Sequence, residues 1–223
     1  MNDLGAAMRS TEVTHATLTS TVARLIQPSE VPTLKTLILV GEPVQAGVVE
    51  TWCKHASVLN AYGPSECSIH STCNGPIKDP SQASNIGYAM GTRLWVAQPS
   101  NPSQLCPIGV TGELLIEGPQ LARGYLNDEG KTTASFITNP AWASNPELGL
   151  PADCRVYRTG DLVRQNEDGS LTYVSRRDTQ VKLRGQRVDV GEIEFWISNK
   201  QPEARQVVVV VTKRGRTNKC SWR

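Results

Sequence analysis

Residues 60–66, Asn-Ala-Tyr-Gly-Pro-Ser-Glu, bring an amide, an aromatic ring, a hydroxyl and a carboxylate together within one short segment. In an extended chain alternate side chains face the same way, so Asn60 and Tyr62 can address one ligand. An amide can hydrogen-bond the edge of a purine while a flat ring stacks on its face. After the Gly-Pro turn, Ser65 can bond a phosphate, and Glu66 is a hard oxygen ligand suited to Mg²⁺. The segment is compatible with a nucleotide and a metal ion, and also with a plain type I or II turn carrying a solvated glutamate.

The elements around this segment indicate a parallel sheet. A short apolar run ends at Gly41, an amphipathic helical pattern covers residues 44–56, and a second extended run covers residues 57–64. Strand, helix and strand at this spacing predict a βαβ unit with parallel strands. Ligands of such sheets bind beyond the carboxyl ends of the strands, where both Gly41 and residues 60–66 fall.

The remainder of the chain has a different pattern, with short extended runs separated by Gly, Pro, Asn and Asp. An Asp-Gly turn signal between two alternating runs predicts a hairpin over residues 156–175. After residue 178 a pair of basic strands leads into a helix near Gly191, and the valines of 207–211 predict a further strand. These patterns favour an α/β fold in which a parallel-sheet βαβ portion precedes a β-rich subdomain and a small α+β domain.

Composition and charge narrow the function classes. The chain has 223 residues, of which 39% are hydrophobic and 20% charged, and its formal net charge is +2. This composition is typical of globular proteins, and the weak charge predicts no nucleic-acid and no membrane partner. Neither a secretory signal nor an apolar run long enough for a membrane span is found, so a cytoplasmic location is expected. The six cysteines form no C-x-x-C pair and the three histidines lie far apart, which gives a metal cluster little support.

Four blocks of the sequence together resemble the adenylation domains of nonribosomal peptide synthetases, which belong to the adenylate-forming, AMP-binding superfamily. The blocks are NAYGPSE at 60–66, GELLIEGPQLARGYLND at 112–128, YRTGDLVRQNEDGSLTYVSRRDTQVKLRG at 157–185 and GQRVDVGEIE at 185–194. They occur in the family's order and spacing, and the resemblance covers residues 1 to about 212. The resemblance implies a partial adenylate-forming fold in three parts. These are the C-terminal part of the large α/β core subdomain at 1–92, the β-rich subdomain at 93–177 and the start of the small C-terminal domain at 178–223.

The resemblance also implies a nucleotide site. Asp161 matches the aspartate that accepts both ribose hydroxyls, although it could instead simply end a strand. Gly41 and Glu42 match a turn that lets the backbone approach adenine, and Gly41 would equally suit any tight turn. The other implied nucleotide-binding residues are Asn60, Tyr62, Ser65, Tyr173 and Arg176, with Glu66 as the Mg²⁺ ligand.

Two further regions follow from the resemblance. Asp178 matches the hinge about which the small domain rotates between half-reactions, and Lys182, Arg184 and Gly185 match a loop that contacts the pantetheine channel. The amino-acid pocket would be lined mainly by apolar residues, with His70 as the polar contact, which favours an apolar or aromatic substrate side chain. Its implied members are Thr17, Ile38, Val40, Ala61, Ile69 and His70.

The implied activity has two steps. ATP and an amino acid give aminoacyl-AMP and pyrophosphate, and the aminoacyl group then passes to the phosphopantetheine thiol of a carrier-protein domain. ATP and Mg²⁺ are the implied cofactors, and a condensation domain of the same assembly line is an implied partner. The alternatives are a fragment of an acyl- or aryl-CoA ligase and a degenerate, non-catalytic remnant.

The sequence also departs from the family pattern. No Gly-rich Ser/Thr phosphate loop followed by lysine occurs, and the lysine of the family's C-terminal domain is not found, so little or no activity is expected of the isolated chain. Ser175 stands where glycine is usual, and Ser65 replaces the more frequent threonine. The final residues, 212–223, match nothing in the family and are expected to form a short solvated tail.

Overall fold

The computed structural model describes residues 3–178, 180–183, 186–201, 203, 207–214 and 217–222. The chain forms two compact units, Met1–Arg177 and Asp178–Arg223. One sheet of the first unit contains strands on both sides of position 92, so the division predicted there stays a prediction. No helix in the part of the chain that the structure describes is long and apolar enough to cross a bilayer.

The first unit begins with short helices that alternate with strands and continues almost entirely in strands. Its first half contains α1 (Leu4–Ser10), β1 (His15–Leu18), α2 (Ser20–Ala23), β2 (Thr36–Leu39), α3 (Ala46–Trp52), β3 (Ser57–Tyr62), β4 (Thr72–Asn74) and β5 (Asn85–Ala89). Its second half contains β6 (Arg93–Gln98), β7 (Asn101–Leu105), β8 (Thr111–Glu117), α4 (Glu129–Ser135), β9 (Phe136–Thr138), β10 (Arg155–Gln165) and β11 (Leu171–Arg176).

These strands are hydrogen-bonded into one 11-stranded sheet in the order β1-β2-β3-β4-β5-β11-β10-β8-β6-β7, with β9 paired to β10. The pairs β1–β2 and β2–β3 are parallel, and the other pairs are antiparallel. The predicted βαβ unit is confirmed as β2-α3-β3. Because β5 pairs with β11, the carboxyl end of β3 and the hairpin β10–β11 belong to the same sheet.

The core of the parallel part forms because α3 buries one face against the sheet. Val48 and Trp52 lie one turn apart on that face and pack with Leu37, Leu39 and Val58 of the strands. The indole N–H of Trp52 donates to the backbone carbonyl of Ala23 at 3.1 Å, which satisfies its polar atom inside the core. The helix is thereby anchored against β2 and β3.

The hairpin β10–β11 carries Asp161 on its first strand and Arg176 on its second. Its turn, Asn166–Ser170, contains the Asp168-Gly169 pair, as predicted, and Asp168 accepts the backbone N–H of Ser170 at 3.0 Å. The β8–β10 ladder shifts register between Arg158 and Leu162. The shift includes Asp161: residues 159–161 lie between the two paired parts of the ladder and are not in its regular register.

The second unit contains β12 (Gln180–Leu183), β13 (Gln186–Asp189), α5 (Val190–Lys200), β14 (Val209–Arg214) and β15 (Thr217–Trp222). Asp189 caps α5 by accepting the backbone N–H of Gly191 at 3.0 Å. The strand pair, the helix near Gly191 and the valine strand are confirmed. The expectation of a short solvated tail is wrong, because Thr217–Trp222 pairs antiparallel with β14 and so satisfies the edge of that strand.

Candidate functional site

A nearly buried carboxylate, Asp161, receives a tyrosine hydroxyl and an arginine. The hydroxyl of Tyr62 donates to Asp161 Oδ2 at 2.5 Å, and Arg176 Nη1 donates to Asp161 Oδ1 at 3.0 Å. Tyr62 ends β3, Asp161 lies within β10 and Arg176 ends β11. The structure therefore brings three of the predicted nucleotide-binding residues together, and we call them the Tyr62–Asp161–Arg176 cluster.

The carboxylate of this cluster is paired and still has acceptor capacity. An ionised carboxylate offers about four lone-pair sites, and Tyr62 and Arg176 address different oxygens of Asp161. The Asp161 side chain is only 6% exposed, so the charge of Arg176 offsets a burial that would otherwise be costly. Each oxygen can accept a further hydrogen bond, as recognition of two adjacent hydroxyls requires.

The tyrosine of the cluster is held in its neutral form. Burial raises the pKa of Tyr62 well above its ordinary value, and the negative charge of Asp161 raises it further. Because only the protonated phenol can donate, the hydrogen bond to Asp161 persists across the physiological pH range.

Backbone geometry next to Asp161 fixes the direction of its carboxylate. Gly160 has φ of 70°, a conformation that side-chain-bearing residues rarely adopt. The Thr159 hydroxyl accepts the backbone N–H of Asp161 at 3.0 Å and donates to the carbonyl of Leu114 at 2.8 Å. The interrupted ladder is therefore stabilised by a buried side chain, and Asp161 is presented toward β3.

A second buried carboxylate, Glu113 on β8, contacts the backbone at Gly160. Its Oε2 accepts Arg158 Nη2 at 2.6 Å and Arg177 Nη1 at 3.2 Å, and its Oε1 accepts the backbone N–H of Gly160 at 3.2 Å. Its side chain is 2% exposed. Glu113 thus ties the Gly160 turn to the last residue of the first unit.

The predicted metal ligand, Glu66, lies in a short 3₁₀ turn, Ser65–Cys67, that follows β3. Its Oε1 accepts the hydroxyl of Tyr125 at 2.7 Å, and its backbone carbonyl accepts the N–H of Ala122 at 2.8 Å. Ser65, at the start of the turn, is exposed. Tyr62, Cys67 and Tyr125 all pack in the same apolar cluster, so the turn and the Tyr62–Asp161–Arg176 cluster share a core.

The donor set around Glu66 suits magnesium better than a transition metal. No group of three or more His, Cys, Asp or Glu side chains that could hold a metal ion occurs among the described residues. Magnesium is usually held by one or two carboxylates, with waters and substrate phosphates completing its octahedron. One carboxylate beside an exposed serine hydroxyl fits that pattern.

The side-chain amide nitrogen of Asn60 is hydrogen-bonded within the protein. Its amide nitrogen donates to the backbone carbonyls of Ala83 at 3.1 Å and Asn85 at 2.9 Å, and the residue is buried. Both amide hydrogens are therefore used within the protein, linking β3 to the start of β5. The structure does not bring the amide nitrogen of Asn60 to the Tyr62–Asp161–Arg176 cluster.

Gly41 and Glu42 form the turn after β2. Gly41 has φ of 83°, and a side chain there would meet only Thr19 Cγ2, at 3.8 Å, so glycine serves the backbone conformation. Glu42 Oε2 accepts the backbone N–H of Thr21 in the first turn of α2 at 2.9 Å. This contact satisfies an otherwise orphan helix donor, and Glu42 thereby fixes the turn that precedes α3.

The predicted pocket residues on strands share one face of the sheet. Thr17 is paired with Ile38, and Ile38 with Leu59, two residues before Ala61. Side chains in register between parallel strands, and two apart along a strand, point the same way, so Val40 also belongs to this face. Ile69 and His70, in the loop after β3, are exposed.

The remaining predicted residues lie on the hairpin and beyond it. Tyr173 is half-buried on β11 and packs against the apolar cluster that contains Tyr62. Asp178 is exposed and accepts the backbone N–H of Gln180 at 3.1 Å. The side chain of Lys182 and the whole of Arg184 and Gly185 lie outside the described residues.

Sequence reasoning missed Tyr125 and Glu113. Both residues fall within the block 112–128, one of the four that carry the family resemblance. Their residue types alone do not indicate a functional role. A tyrosine between Gly and Leu, or a glutamate in an apolar strand, is ordinary in a β-rich domain. An acidic residue at a core position of β8 was the one available signal, since a buried charge requires a partner.

Comparison with known proteins gives three consistent matches. The family profile described as "AMP-binding enzyme" matches residues 2–126. Nonribosomal peptide synthetase inpB of Emericella nidulans is 60% identical over 96% of this chain, which covers 9% of that protein. Nonribosomal peptide synthetase ecdA of Aspergillus rugulosus is 59% identical over 94% of this chain, which covers 3% of that protein. This chain therefore spans less than a tenth of either relative.

Solved structures agree with the sequence matches. Holo-PA1221, described as a nonribosomal peptide synthetase protein with adenylation and PCP domains bound to a vinylsulfonamide inhibitor, superimposes with a TM-score of 0.81 at 26% identity, over 98% of this chain and 38% of that one. The Vibrio cholerae adenylation domain AlmE in complex with glycyl-adenosine-5'-phosphate gives a TM-score of 0.78 at 28% identity, over 96% and 40%. The predicted fold class, a partial adenylate-forming α/β fold, is confirmed.

Proposed function

From the premise that this chain belongs to the AMP-binding enzyme family, as part of a nonribosomal peptide synthetase adenylation domain, we propose that it holds the nucleotide for amino-acid activation. The observation that carries the proposal is the Tyr62–Asp161–Arg176 cluster, a nearly buried carboxylate held at both oxygens with acceptor capacity remaining. Two adjacent ribose hydroxyls fit that capacity, one on each oxygen.

The proposed reaction proceeds in two steps. An oxygen of the amino-acid carboxylate attacks the α-phosphorus of ATP, and the bond to pyrophosphate breaks, giving aminoacyl-AMP. A phosphopantetheine thiol on a carrier protein then attacks the activated carbonyl, releases AMP and yields a thioester. The solved homologue described as containing adenylation and PCP domains supports a carrier-protein partner. A condensation domain as a further partner and a cytoplasmic location stay predictions.

The chain's own residues would divide the nucleotide between them. Asp161 binds the ribose, Tyr62 and Tyr173 lie beside the base, and Arg176 carries a positive charge next to the sugar. Ser65 bonds a phosphate and Glu66 holds Mg²⁺, which when bound neutralises phosphate charge. The turn at Gly41–Glu42 lets the backbone approach adenine. Asn60 contributes through the position of β3, because its amide hydrogens are already used.

The substrate pocket is proposed on the shared face of β1–β3. Thr17, Ile38, Val40 and Ala61 would line it, and the exposed Ile69 and His70 would close one side. An apolar or aromatic amino-acid side chain suits this lining, with His70 as the polar contact. Asp178, the first residue of the second unit, is proposed as the hinge.

The alternatives are less well supported. An acyl- or aryl-CoA ligase would share the nucleotide site, but the relatives with high identity over nearly the whole chain are named as nonribosomal peptide synthetases. Pyrophosphate exchange by the native protein that contains this sequence, with amino acids set against fatty and aryl acids, separates the two enzyme classes.

Because the sequence has no phosphate loop with lysine, we propose that the 223 residues bind nucleotide without turning it over.

Nucleotide binding to the full chain tests the proposal. Calorimetry with ATP and Mg²⁺ should give saturable binding for the wild type, and Asp161→Asn should weaken it at least tenfold, since a charge-assisted hydrogen bond is worth about 1.5–3 kcal/mol. Asp168→Asn is the matched control, because Asp168 accepts hydrogen bonds in the β10–β11 turn, and its binding should equal that of the wild type. Equal affinity of wild type and Asp161→Asn, or no binding by a folded wild type, would refute the nucleotide role and favour an inert remnant.

A further inference from the structure

The segment 118–128, between β8 and α4, holds the loop that follows β3. The Ser68 hydroxyl donates to the backbone carbonyl of Gln120 at 3.0 Å, and Gln120 Nε2 donates to the carbonyl of His70 at 3.3 Å. A backbone hydrogen bond from Ala122 to Glu66 adds a third tie, at 2.8 Å. The two segments are therefore joined along most of the loop's length.

The loop requires such support because its backbone is strained. Ser68 has φ of 54° and Ile69 has φ of 76°, and the left-handed region is costly for a β-branched residue. Strain of this kind persists only where neighbouring structure holds the chain in place. The three hydrogen bonds from segment 118–128 to Glu66, Ser68 and His70 hold the strained loop in place.

Within this segment Tyr125 is the residue that reaches a functional side chain. Its hydroxyl donates to Glu66 Oε1 at 2.7 Å and lies 3.4 Å from the hydroxyl of Tyr157. Its ring packs against Phe136, with centroids 6.0 Å apart, and Lys131 Nζ lies 4.5 Å from the ring centroid. The ring is fixed on several sides, so the hydroxyl is a directed donor.

The backbone of Tyr125 is fixed as well. Its N–H donates to the Thr132 hydroxyl at 2.9 Å, and that hydroxyl donates to the carbonyl of Asp128 at 2.8 Å. A donor whose ring and backbone are both held in place thus faces the Glu66 carboxylate, which needs a defined orientation to bind a cation.

We propose that Tyr125 is a positioning residue for Glu66: its hydroxyl fixes the plane of the carboxylate and so sets the affinity of the site for a divalent cation. The inference rests on the proposed function, in which Glu66 holds Mg²⁺. The Tyr125 hydroxyl occupies one lone-pair site of Oε1, and an ionised carboxylate offers about four such sites. Hydrogen-bonded partners of metal ligands typically contribute about 10- to 100-fold in metal affinity.

The test is the magnesium dependence of ATP binding to the full chain, measured by calorimetry. Tyr125→Phe should raise the Mg²⁺ concentration for half-maximal enhancement of binding about tenfold, and ATP affinity in the presence of a chelator should stay at the wild-type value. Tyr88→Phe is the matched control, since the Tyr88 hydroxyl also donates to a carboxylate, that of Asp168 at 3.3 Å. It should behave as the wild type in both measurements.

The outcomes separate this inference from the proposed function. If Glu66→Gln loses the magnesium dependence and a folded Tyr125→Phe keeps that of the wild type, Tyr125 does not position Glu66 and the inference is overturned. If Glu66→Gln and the wild type depend on magnesium equally, the metal role of Glu66 itself has failed. Should Tyr125→Phe not fold, Thr132→Val removes the anchor of the Tyr125 backbone, and it must raise the magnesium requirement for the inference to stand.

Discussion

Two tyrosine–carboxylate hydrogen bonds define the site at the level of single residues. Tyr62 donates to Asp161 at 2.5 Å and Tyr125 donates to Glu66 at 2.7 Å. In both pairs burial raises the pKa of the tyrosine, so the phenol stays protonated where the carboxylate needs a donor. The same chemical device thus orients the proposed ribose ligand and the proposed metal ligand.

Cys67, next to Glu66, gives a prediction about pH. Burial raises the pKa of its thiol to about 12, and the charge of Glu66 adds to the rise. The folded chain therefore binds this proton more tightly than the unfolded chain, whose thiol titrates near 9.0. The resulting stability is fully present below about pH 9 and is lost as the pH rises toward about 12.

Urea unfolding of the wild type and Cys67→Ala checks this sign. The unfolding free energy of the wild type minus that of Cys67→Ala should be larger at about pH 8 than at about pH 10.5. Between these pH values the unfolded wild type releases the thiol proton that the folded wild type still binds, and Cys67→Ala has no such proton. A difference that stays constant over this range would mean that the thiol is not held protonated by the fold.

At the level of elements, the turn after β3 depends on a close backbone approach at Gly63. In Gly63→Ala the new Cβ would overlap the carbonyl oxygen of Ile69 and lie 2.7 Å from the backbone nitrogen of Ser71. Backbone atoms cannot rotate away, so the loop that carries Glu66 must move. We expect a loss of about 2–3 kcal/mol in unfolding free energy and weaker nucleotide binding.

Gly47→Ala is the control for this prediction. Gly47 lies in α3, and a Cβ there meets no atom within 4 Å, so alanine should leave stability unchanged or raise it by up to about 1 kcal/mol. Chemical denaturation of both variants gives the comparison. Equal midpoints for the two variants would show that the Gly63 turn tolerates displacement.

The elements that sequence predicted well are those with local signals. The β2-α3-β3 unit follows from periodicity, and the β10–β11 hairpin follows from its Asp168-Gly169 turn. The interrupted ladder beside Asp161 has no such signal, because it arises where β8 and β10 meet. The pairing of β15 with β14 likewise has no local signal, because it depends on the edge that β14 offers.

The side-chain contacts of the site were less accessible to sequence. Tyr62 and Asp161 are 99 positions apart, and only the sheet order β5–β11 brings their strands into one assembly. Their types were predicted from the family resemblance, but the hydrogen bond between them was not. Asn60 shows the converse case: its type suggested base recognition, and packing of β3 against β5 directs its amide inward.

At the level of the whole molecule, the first compact unit contains the complete Tyr62–Asp161–Arg176 cluster and the Glu66 turn. The cluster lies between the carboxyl end of β3 and the hairpin β10–β11 of the same sheet, and the Glu66 turn follows β3 and contacts segment 118–128. This arrangement agrees with the general position of ligands in open α/β sheets, beyond the carboxyl ends of the strands. The proposed nucleotide role therefore depends on the sheet that joins the two halves of the first unit.

The central claim is that Asp161 binds the ribose of a nucleotide beside Tyr62 and Arg176. A crystal structure of the full chain with AMP tests it most directly. The account predicts both ribose hydroxyls within about 3.2 Å of the two Asp161 carboxylate oxygens, with the base next to Tyr62. AMP bound elsewhere, with the Asp161 carboxylate contacting only Tyr62 and Arg176, would contradict it.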